Sequence, residues 1–241
     1  MIIGGLEKLT LLDYPGHLAA IIFTSGCNFR CHFCYNPELV IPKKKIEGEN
    51  KEGSKIINNE DLLLFLKERF GKLEAVVISG GEPTLHADLP KFIKKIKDIG
   101  YLVKLDTNGT NPEMLKSLID NSLIDYVAMD IKAGPDDYED VVGVKLDFKN
   151  IEKSVKIIMT SNLPYEFRTT LVPGLVDESK FLAMASVIKG SKNWYLQNFK
   201  SDTDLVNPKY QGQKSFSFKE MKNFVKLAQN FVDVCEDRSY D

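Results

Sequence analysis

Three cysteines stand close together near the start of the chain, in the stretch SGCNFRCHFCYNP at 25–37. Cys27, Cys31 and Cys34 follow the spacing C-x3-C-x2-C, whereas Cys235 lies near the other end. A structural zinc site needs four ligands, a c-type haem needs C-x-x-C-H, and a bacterial ferredoxin run adds a fourth cysteine. Three thiolates and one open coordination position remain. This set suits a cubane [4Fe–4S] cluster, in which three irons bind cysteine and the fourth stays open to a small molecule.

The elements that must position this loop are predicted by short apolar runs that alternate with helical patterns. Six of them end at Gly, Asp or Asn and predict buried strands, at 18–26, 74–81, 101–109, 125–132, 165–174 and 193–199. The alternation predicts an α/β fold with parallel strands, and six βα units are two fewer than a complete barrel. We therefore expect a partial, open (β/α)6 TIM-type barrel, with a doubly wound open sheet as the alternative. The tail from 232 predicts a final strand followed by a frayed end.

Composition narrows the class of protein. A chain of 241 residues with 43% hydrophobic content predicts one domain over 1–241. A formal charge of −2 argues against nucleic acid as a partner. No apolar stretch reaches about 20 residues and no leader pattern opens the sequence, so we expect no membrane partner. The cysteine usage suggests a reducing, cytoplasmic location. Residues 42–57, rich in Lys, Glu and Gly, predict a solvated surface loop, with a lid or docking segment as the alternative.

Chemically versatile side chains follow the predicted strands. In either architecture the chemistry belongs at the carboxyl ends of the strands and on the loops that follow them. The residues at these ends are Cys27, Glu82, Asp106, Asn108, Asp130, Lys132 and Arg168. One end of the sheet is therefore the predicted site.

The cysteine loop closely resembles the signature of the radical S-adenosylmethionine enzymes, and Phe33 matches the aromatic residue before the last cysteine. The resemblance implies a [4Fe–4S] cluster on Cys27, Cys31 and Cys34, whose open iron chelates S-adenosylmethionine (SAM). Asn36 matches the asparagine of the Cys-His-Asn found in many relatives, although Tyr35 replaces the histidine. We expect one cluster and a change in adenine packing or solvent access, not in the reaction.

Two further segments extend the resemblance. ISGGEP at 78–83 resembles the element that contacts the methionine amino group of SAM, which assigns this role to Gly80, Gly81 and Glu82. LDTNG at 105–109 resembles the segment that serves the ribose hydroxyls and the methionine end, through Asp106, Thr107 and Asn108. Outside this context, both segments would be ordinary turns.

AMDIK at 128–132, FRTTLVPG at 167–174 and the DYPG turn before the first strand resemble the activating enzymes of glycyl-radical proteins. The resemblance implies that Asp130, Lys132 and Arg168 surround SAM. It also implies that Asp106, Thr107 and Asp130 hold a monovalent cation. In the simpler alternative, Asp130 and Lys132 merely pair with neighbouring charges at a barrel rim.

The implied function is reductive cleavage of SAM to a 5′-deoxyadenosyl radical, which makes a glycyl radical on a partner enzyme. The expected partner is an anaerobic ribonucleotide reductase, and the expected electron donor is a flavodoxin or ferredoxin. Two alternatives stay open. One is radical SAM chemistry on a small molecule, as in 7-carboxy-7-deazaguanine synthase. The other is a non-enzymatic zinc module that adds His17, His32, His86 or Cys235 to the three cysteines.

Overall fold

The computed structural model describes residues 1–40 and 57–239. Of the predicted loop at 42–57, all but Ile57 lies outside these residues. The strands are β1 (Ile3–Thr10), β2 (Ala19–Thr24), β3 (Ala75–Gly80), β4 (Leu102–Thr107), β5 (Tyr126–Asp130), β6 (Tyr165–Leu171), β7 (Asn193–Asn198) and β8 (Val234–Asp237). The helices are α1 (Pro37–Val40), α2 (Asn59–Arg69), α3 (Leu89–Ile99), α4 (Pro112–Asp120), α5 (Tyr138–Val142), α6 (Phe148–Thr160), α7 (Glu178–Val187) and α8 (Phe218–Ala228).

The strands follow one another in the sheet in chain order, from β1 to β8. β2 pairs in parallel with β3, β3 with β4, β6 with β7 and β7 with β8, whereas β1 is antiparallel to β2. The edge strands β1 and β8 are not neighbours in this order, so the sheet among the described residues is open. The predicted α/β class and the open, TIM-type arrangement are confirmed.

The six predicted βα strands correspond to β2–β7, and β1 is the strand among the described residues that the sequence analysis missed. β1 escaped the sequence pattern because it contains Gly4, Gly5, Glu7 and Lys8 and buries only its first and last residues. An edge strand with this composition shows no apolar alternation. β8 corresponds to the final strand predicted in the tail, and its four residues are too few for a strong pattern.

Most helix ends follow the capping residues in the sequence. Asp147 and Asp177 cap α6 and α7, because each side chain accepts a hydrogen bond from a first-turn amide. Pro112 is the first residue of α4. Asn58 caps α2, since its side chain accepts from the Glu60 amide (2.8 Å).

The chain divides into two compact units. The first comprises Met1–Asn28, Glu38–Thr107 and Glu113–Val127, and the second comprises Phe29–Pro37, Asn108–Pro112 and Ala128–Asp241. The single domain over 1–241 stays a prediction. In the first unit Tyr14 packs with Ala and Ile side chains of β2 and with β3. In the second unit Phe181 stacks on Trp194, with ring centroids 4.9 Å apart. No helix among the described residues is long and apolar enough to cross a membrane.

Candidate active site

The predicted site residues are shared between the two units. The first unit contains Cys27, Gly80, Gly81, Glu82, Asp106 and Thr107, and the second contains Cys31, Phe33, Cys34, Asn36, Asn108, Asp130, Lys132 and Arg168. Within each unit several of these side chains contact one another.

In the first unit, the Gly-Gly-Glu segment after β3 lies against the start of the cysteine loop. The Gly81 amide donates to the Thr24 carbonyl (2.8 Å), and the Glu82 amide donates to the Gly26 carbonyl (2.9 Å). A Cβ atom at Gly81 would stand 2.0 Å from the Gly26 carbonyl oxygen. Only glycine permits this approach of two backbones, which fixes the turn that leads into Cys27.

Glu82 is locked by internal hydrogen bonds. Its residue is 1% exposed, and its Oε1 accepts from the Thr84 amide (3.0 Å), the Thr84 hydroxyl (2.5 Å) and the Thr107 hydroxyl (2.8 Å). Two predicted site residues, Glu82 and Thr107, are thus in direct contact. Thr84 was missed by the sequence analysis, although it follows the Gly-Gly-Glu-Pro motif directly.

Asp106 belongs to a second buried network of the first unit. Its Oδ2 accepts from the Ser79 hydroxyl (3.0 Å), and its Oδ1 lies 3.2 Å from the Lys104 ammonium. Lys104 is 1% exposed and also donates to the Asp13 carbonyl of the DYPG turn (2.6 Å). Sequence analysis missed Ser79 and Lys104. A lysine within an otherwise apolar strand was the available signal, because lysine is rarely buried unless it is paired.

In the second unit, the rest of the cysteine loop is held by the backbone after β7. The Val206 amide donates to the Cys34 carbonyl (2.9 Å), and the Cys34 amide donates to the Cys31 carbonyl (3.1 Å). The ring of His32 stacks on Tyr210, with centroids 5.8 Å apart. Cys31 is buried and Cys34 is half-buried. The stacking holds the His32 ring against the Tyr210 ring, and the hydrogen bond from the Cys34 amide to the Cys31 carbonyl closes a tight turn.

An ion cluster joins the end of β5 to the middle of β6. Asp130 Oδ2 is 2.9 Å from the Lys132 ammonium, and Asp130 Oδ1 accepts from Arg168 Nε (2.9 Å). The Lys132 ammonium also lies 5.8 Å from the centre of the Phe33 ring, at the edge of the cation–π range. Four predicted site residues are therefore brought together within this unit.

The charges of this cluster shift its pKa values. Burial alone would raise the pKa of Asp130, but the charges of Arg168 and Lys132 outweigh burial and hold that pKa well below its usual range. Burial alone would lower the pKa of Lys132, yet the Asp130 carboxylate holds it above the usual range. All three side chains stay charged at neutral pH.

The variant Asp130→Asn tests this cluster. We expect it to lower the free energy of unfolding at neutral pH by about 2 kcal/mol, between the values for exposed and fully buried pairs. The folded pKa lies below the unfolded value of about 3.9, so the stabilisation is complete above about pH 5 and is lost as pH falls through the folded pKa. Urea unfolding at about pH 7 and about pH 3 should therefore show a smaller difference from wild type at the lower pH.

The matched control is Asp98→Asn, which removes an exposed pair with Lys94 on α3 (2.9 Å). This control should cost about 0.5 kcal/mol or less. Equal losses in the two variants at neutral pH would contradict the proposed strength of the buried cluster.

Asn108, Asn36 and Tyr35 are the remaining residues of the candidate site. Asn108 is 6% exposed, and its Oδ1 accepts from the amide (3.0 Å) and the hydroxyl (2.7 Å) of Thr110, which forms a local turn. Asn36 is half-buried and Tyr35 is 59% exposed. The tyrosine that replaces histidine lies close enough to Arg168, Asp130 and Lys132 for their charges to affect its pKa, which burial raises.

The cysteines suit a cluster by their chemistry. All four lie within the described residues and none forms a disulfide. Among residues 1–40 and 57–239, no three His, Cys, Asp or Glu side chains form a group that could hold a metal ion. An iron–sulfur cluster presents a separate iron to each thiolate, so its ligands do not converge on one point.

Three of the four side chains that the zinc alternative adds have other contacts, whereas His86 Nε2 is buried and has no hydrogen-bond partner among the described residues. His17 Nδ1 lies 3.1 Å from Glu74 Oε2, and His32 Nδ1 lies 3.3 Å from the Asn207 amide nitrogen. Cys235 is buried on β8, opposite Trp194 of β7. These contacts favour the cluster over a zinc module.

The open α/β sheet and the three-cysteine loop are typical of one enzyme class. The sequence profile of the radical SAM superfamily matches residues 21–185, and this chain belongs to that superfamily. It is a radical SAM enzyme, and the family implies a [4Fe–4S] cluster and SAM.

Two curated relatives have names that are more specific than the superfamily. A Methanocaldococcus jannaschii protein provisionally named a glycyl-radical enzyme activating enzyme is 34% identical over 96% of this chain and 93% of its own length. The pyruvate formate-lyase-activating enzyme of Clostridium pasteurianum is 30% identical over 79% of this chain and 77% of its own. The crystal structure of Streptococcus suis SuiB bound to SAM is similar in fold, with a TM-score of 0.64, 12% identity and 92% of this chain covered. This chain spans 50% of that SuiB chain.

Proposed function

We propose that this protein is an oxidoreductase that activates a glycyl-radical enzyme. The observation that supports this most directly is the 34% identity, over 96% of the chain, to a protein named as such an activating enzyme. The AMDIK and FRTT segments, whose charged residues pair in one cluster, add to this support.

Cys27, Cys31 and Cys34 would hold the cluster. When bound, the reduced cluster and SAM supply a 5′-deoxyadenosyl radical, which takes a hydrogen atom from a glycine of the partner. The chain contributes shielding from water, because Phe29 and Phe33 of the cysteine loop are 2% and 6% exposed. Exclusion of water also affects the potential at which the cluster accepts an electron.

The charged residues would orient SAM. Its methionine end bears an ammonium and a carboxylate, and charge-assisted hydrogen bonds to both are stronger than neutral ones. Asp130, Lys132 and Arg168 offer one anion and two cations, already aligned by their mutual contacts. In the same proposal Gly80, Gly81, Glu82, Asn36 and Asn108 contact the bound SAM, and Asp106, Thr107 and Asp130 take a monovalent cation.

The expected macromolecular partner is a glycyl-radical enzyme, with anaerobic ribonucleotide reductase as the first candidate. A flavodoxin or ferredoxin would supply the single electron. The cysteines, none of which forms a disulfide, agree with a reducing cytoplasmic location. These finer assignments belong to the proposal and depend on the resemblance of the motifs.

Electron paramagnetic resonance (EPR) tests this function directly. The cluster of the full-length protein is reconstituted and reduced without oxygen, and SAM and a candidate glycyl-radical enzyme are added. We expect a glycyl-radical signal on the partner, together with 5′-deoxyadenosine in about equal amount. The stoichiometry follows because one hydrogen atom is transferred for each radical stored.

A partner whose radical-bearing glycine is replaced by alanine serves as the control and should give no signal. The proposal would be overturned by 5′-deoxyadenosine formation with no glycyl signal on any tested partner, together with turnover of a small molecule. That result would identify the small-molecule alternative instead.

A further inference from the structure

Tyr138 of α5 is a fully buried tyrosine that none of the predicted roles uses. Its ring packs edge-on against Phe29 and Phe148, with centroids 6.2 and 5.3 Å away. The residue is 0% exposed, and its hydroxyl oxygen has no hydrogen-bond partner among the described residues. A buried hydroxyl without a partner costs free energy, and phenylalanine would fill the same space without that cost. The oxygen therefore needs an explanation.

The short helix α5, which contains Tyr138, is hydrogen-bonded to the cysteine loop on both sides of Cys31. The Arg30 amide donates to the Val142 carbonyl (2.8 Å), and the His32 amide donates to the Val141 carbonyl (3.3 Å). These two bonds flank the buried Cys31 and place it beside α5. The packing is close, because a Cβ atom on Gly143, just after α5, would stand 2.8 Å from the Arg30 carbonyl oxygen.

The pKa shifts of Tyr138 and Lys132 agree with a position of both side chains near Cys31. Burial raises the pKa of Tyr138, the charge and the backbone amide of Lys132 partly offset that effect, and the charge of Cys31 raises the pKa further. The charge of Cys31 also raises the pKa of Lys132. Tyr138, Cys31 and Lys132 are thus within electrostatic range of one another. The phenol therefore keeps its proton at neutral pH and can donate a hydrogen bond.

We propose that Tyr138 is a positioning residue that donates a hydrogen bond to a sulfide of the bound cluster, next to Cys31, and so raises the reduction potential of the cluster. This inference rests on the proposed role of Cys31 as a cluster ligand. Hydrogen bonds to the sulfurs stabilise the additional negative charge of the reduced cluster and are one determinant of its potential. A cluster sulfide is an acceptor that the protein alone does not offer to the buried hydroxyl.

The variant Tyr138→Phe removes one oxygen atom and keeps the aromatic ring. In a redox titration of the reconstituted full-length protein, followed by EPR, we expect a more negative midpoint potential. At the wild-type midpoint, the ratio of reduced to oxidised cluster should fall about tenfold, which corresponds to about 59 mV for one electron. The titration contains no SAM, so its result does not depend on catalytic activity.

The matched control is Tyr165→Phe, in the same unit. The Tyr165 hydroxyl oxygen accepts from the Lys192 amide (3.0 Å), so its loss should lower thermal stability and leave the potential unchanged. If Tyr138→Phe loads its cluster poorly, 3-fluorotyrosine at position 138 provides a second test with nearly the same shape. Because it is a stronger donor, it should shift the potential to more positive values.

The outcomes separate this inference from the proposed function. A wild-type protein without a [4Fe–4S] signal after reconstitution would overturn the cluster assignment, and the Tyr138 role with it. A protein with a normal cluster whose potential is the same with tyrosine, phenylalanine or 3-fluorotyrosine at position 138 would overturn only the role of Tyr138.

Discussion

The Cys31→Ala protein is expected to lose cleavage of SAM by more than about 100-fold. Loss of residues that merely support metal ligands already costs about 10- to 100-fold, and the proposed role of Cys31 is a direct ligand. Its position strengthens the expectation, because Cys31 is 7% exposed and its carbonyl accepts the Cys34 amide (3.1 Å). The measurement is 5′-deoxyadenosine release under anaerobic reduction, with iron and sulfide analysis of the same samples.

Cys235→Ala is the matched control. Burial, together with the charges of Asp237 and Glu236, raises the pKa of the Cys235 thiol to about 12, so this thiol stays protonated and is a poor metal ligand. The control should retain its iron, its sulfide and its cleavage activity. Full activity in Cys31→Ala would contradict the cluster assignment, as would a colourless wild-type protein with one zinc ion per chain.

Gly81→Ala is expected to lower the free energy of unfolding by about 3 kcal/mol or more, at the upper end for overpacking. The added Cβ atom would stand 2.0 Å from the oxygen and 2.6 Å from the carbon of the Gly26 carbonyl. The contact is between two backbones, so no side-chain rotation relieves it. The variant should also bind less iron, because the displaced Gly26 directly precedes Cys27. Urea unfolding and iron analysis measure the two effects.

Gly71→Ala separates steric overlap from the general cost of replacing a glycine. Gly71 has a φ of +81°, and nothing lies within 4 Å of an added Cβ atom. Its cost should be about 1–2 kcal/mol, from the left-handed backbone alone, with normal iron content. Equal stability losses and equal iron content in the two variants would contradict a special role for the Gly81 contact.

Sequence patterns predicted those strands in which many successive residues are buried. The strands β2 to β7 are apolar runs inside a parallel sheet, and such runs are visible without any partner. β1 is different, because an edge strand with glycines and charges is stabilised by its pairing with β2 and not by a pattern of its own. A glycine-rich edge has no periodic signal, so its place in the sheet had to come from the structure.

The features of the site likewise divide into those that the sequence predicts and those that depend on the tertiary structure. The three thiols and their spacing limit the cofactor without a structure, because ligand type and coordination number are local properties. Resemblance of short motifs named Asp130, Lys132 and Arg168, but the contact between Arg168 and Asp130 at 2.9 Å depends on two strands that are far apart in the chain. Lys104 lacked such a motif, and its burial could not be deduced from its neighbours alone.

The sequence by itself determined the elements that depend on neighbours along the chain: the cysteine spacing, the βα alternation and the helix caps. Only the tertiary structure decided which polar groups are buried, and with which partners. Glu82 meets Thr107 across β3 and β4, whereas Tyr138 keeps a buried hydroxyl beside the Cys31 segment with no partner among the described residues. The physical reason is that the cost of burying a polar group is set by contacts between distant segments, which no local pattern encodes.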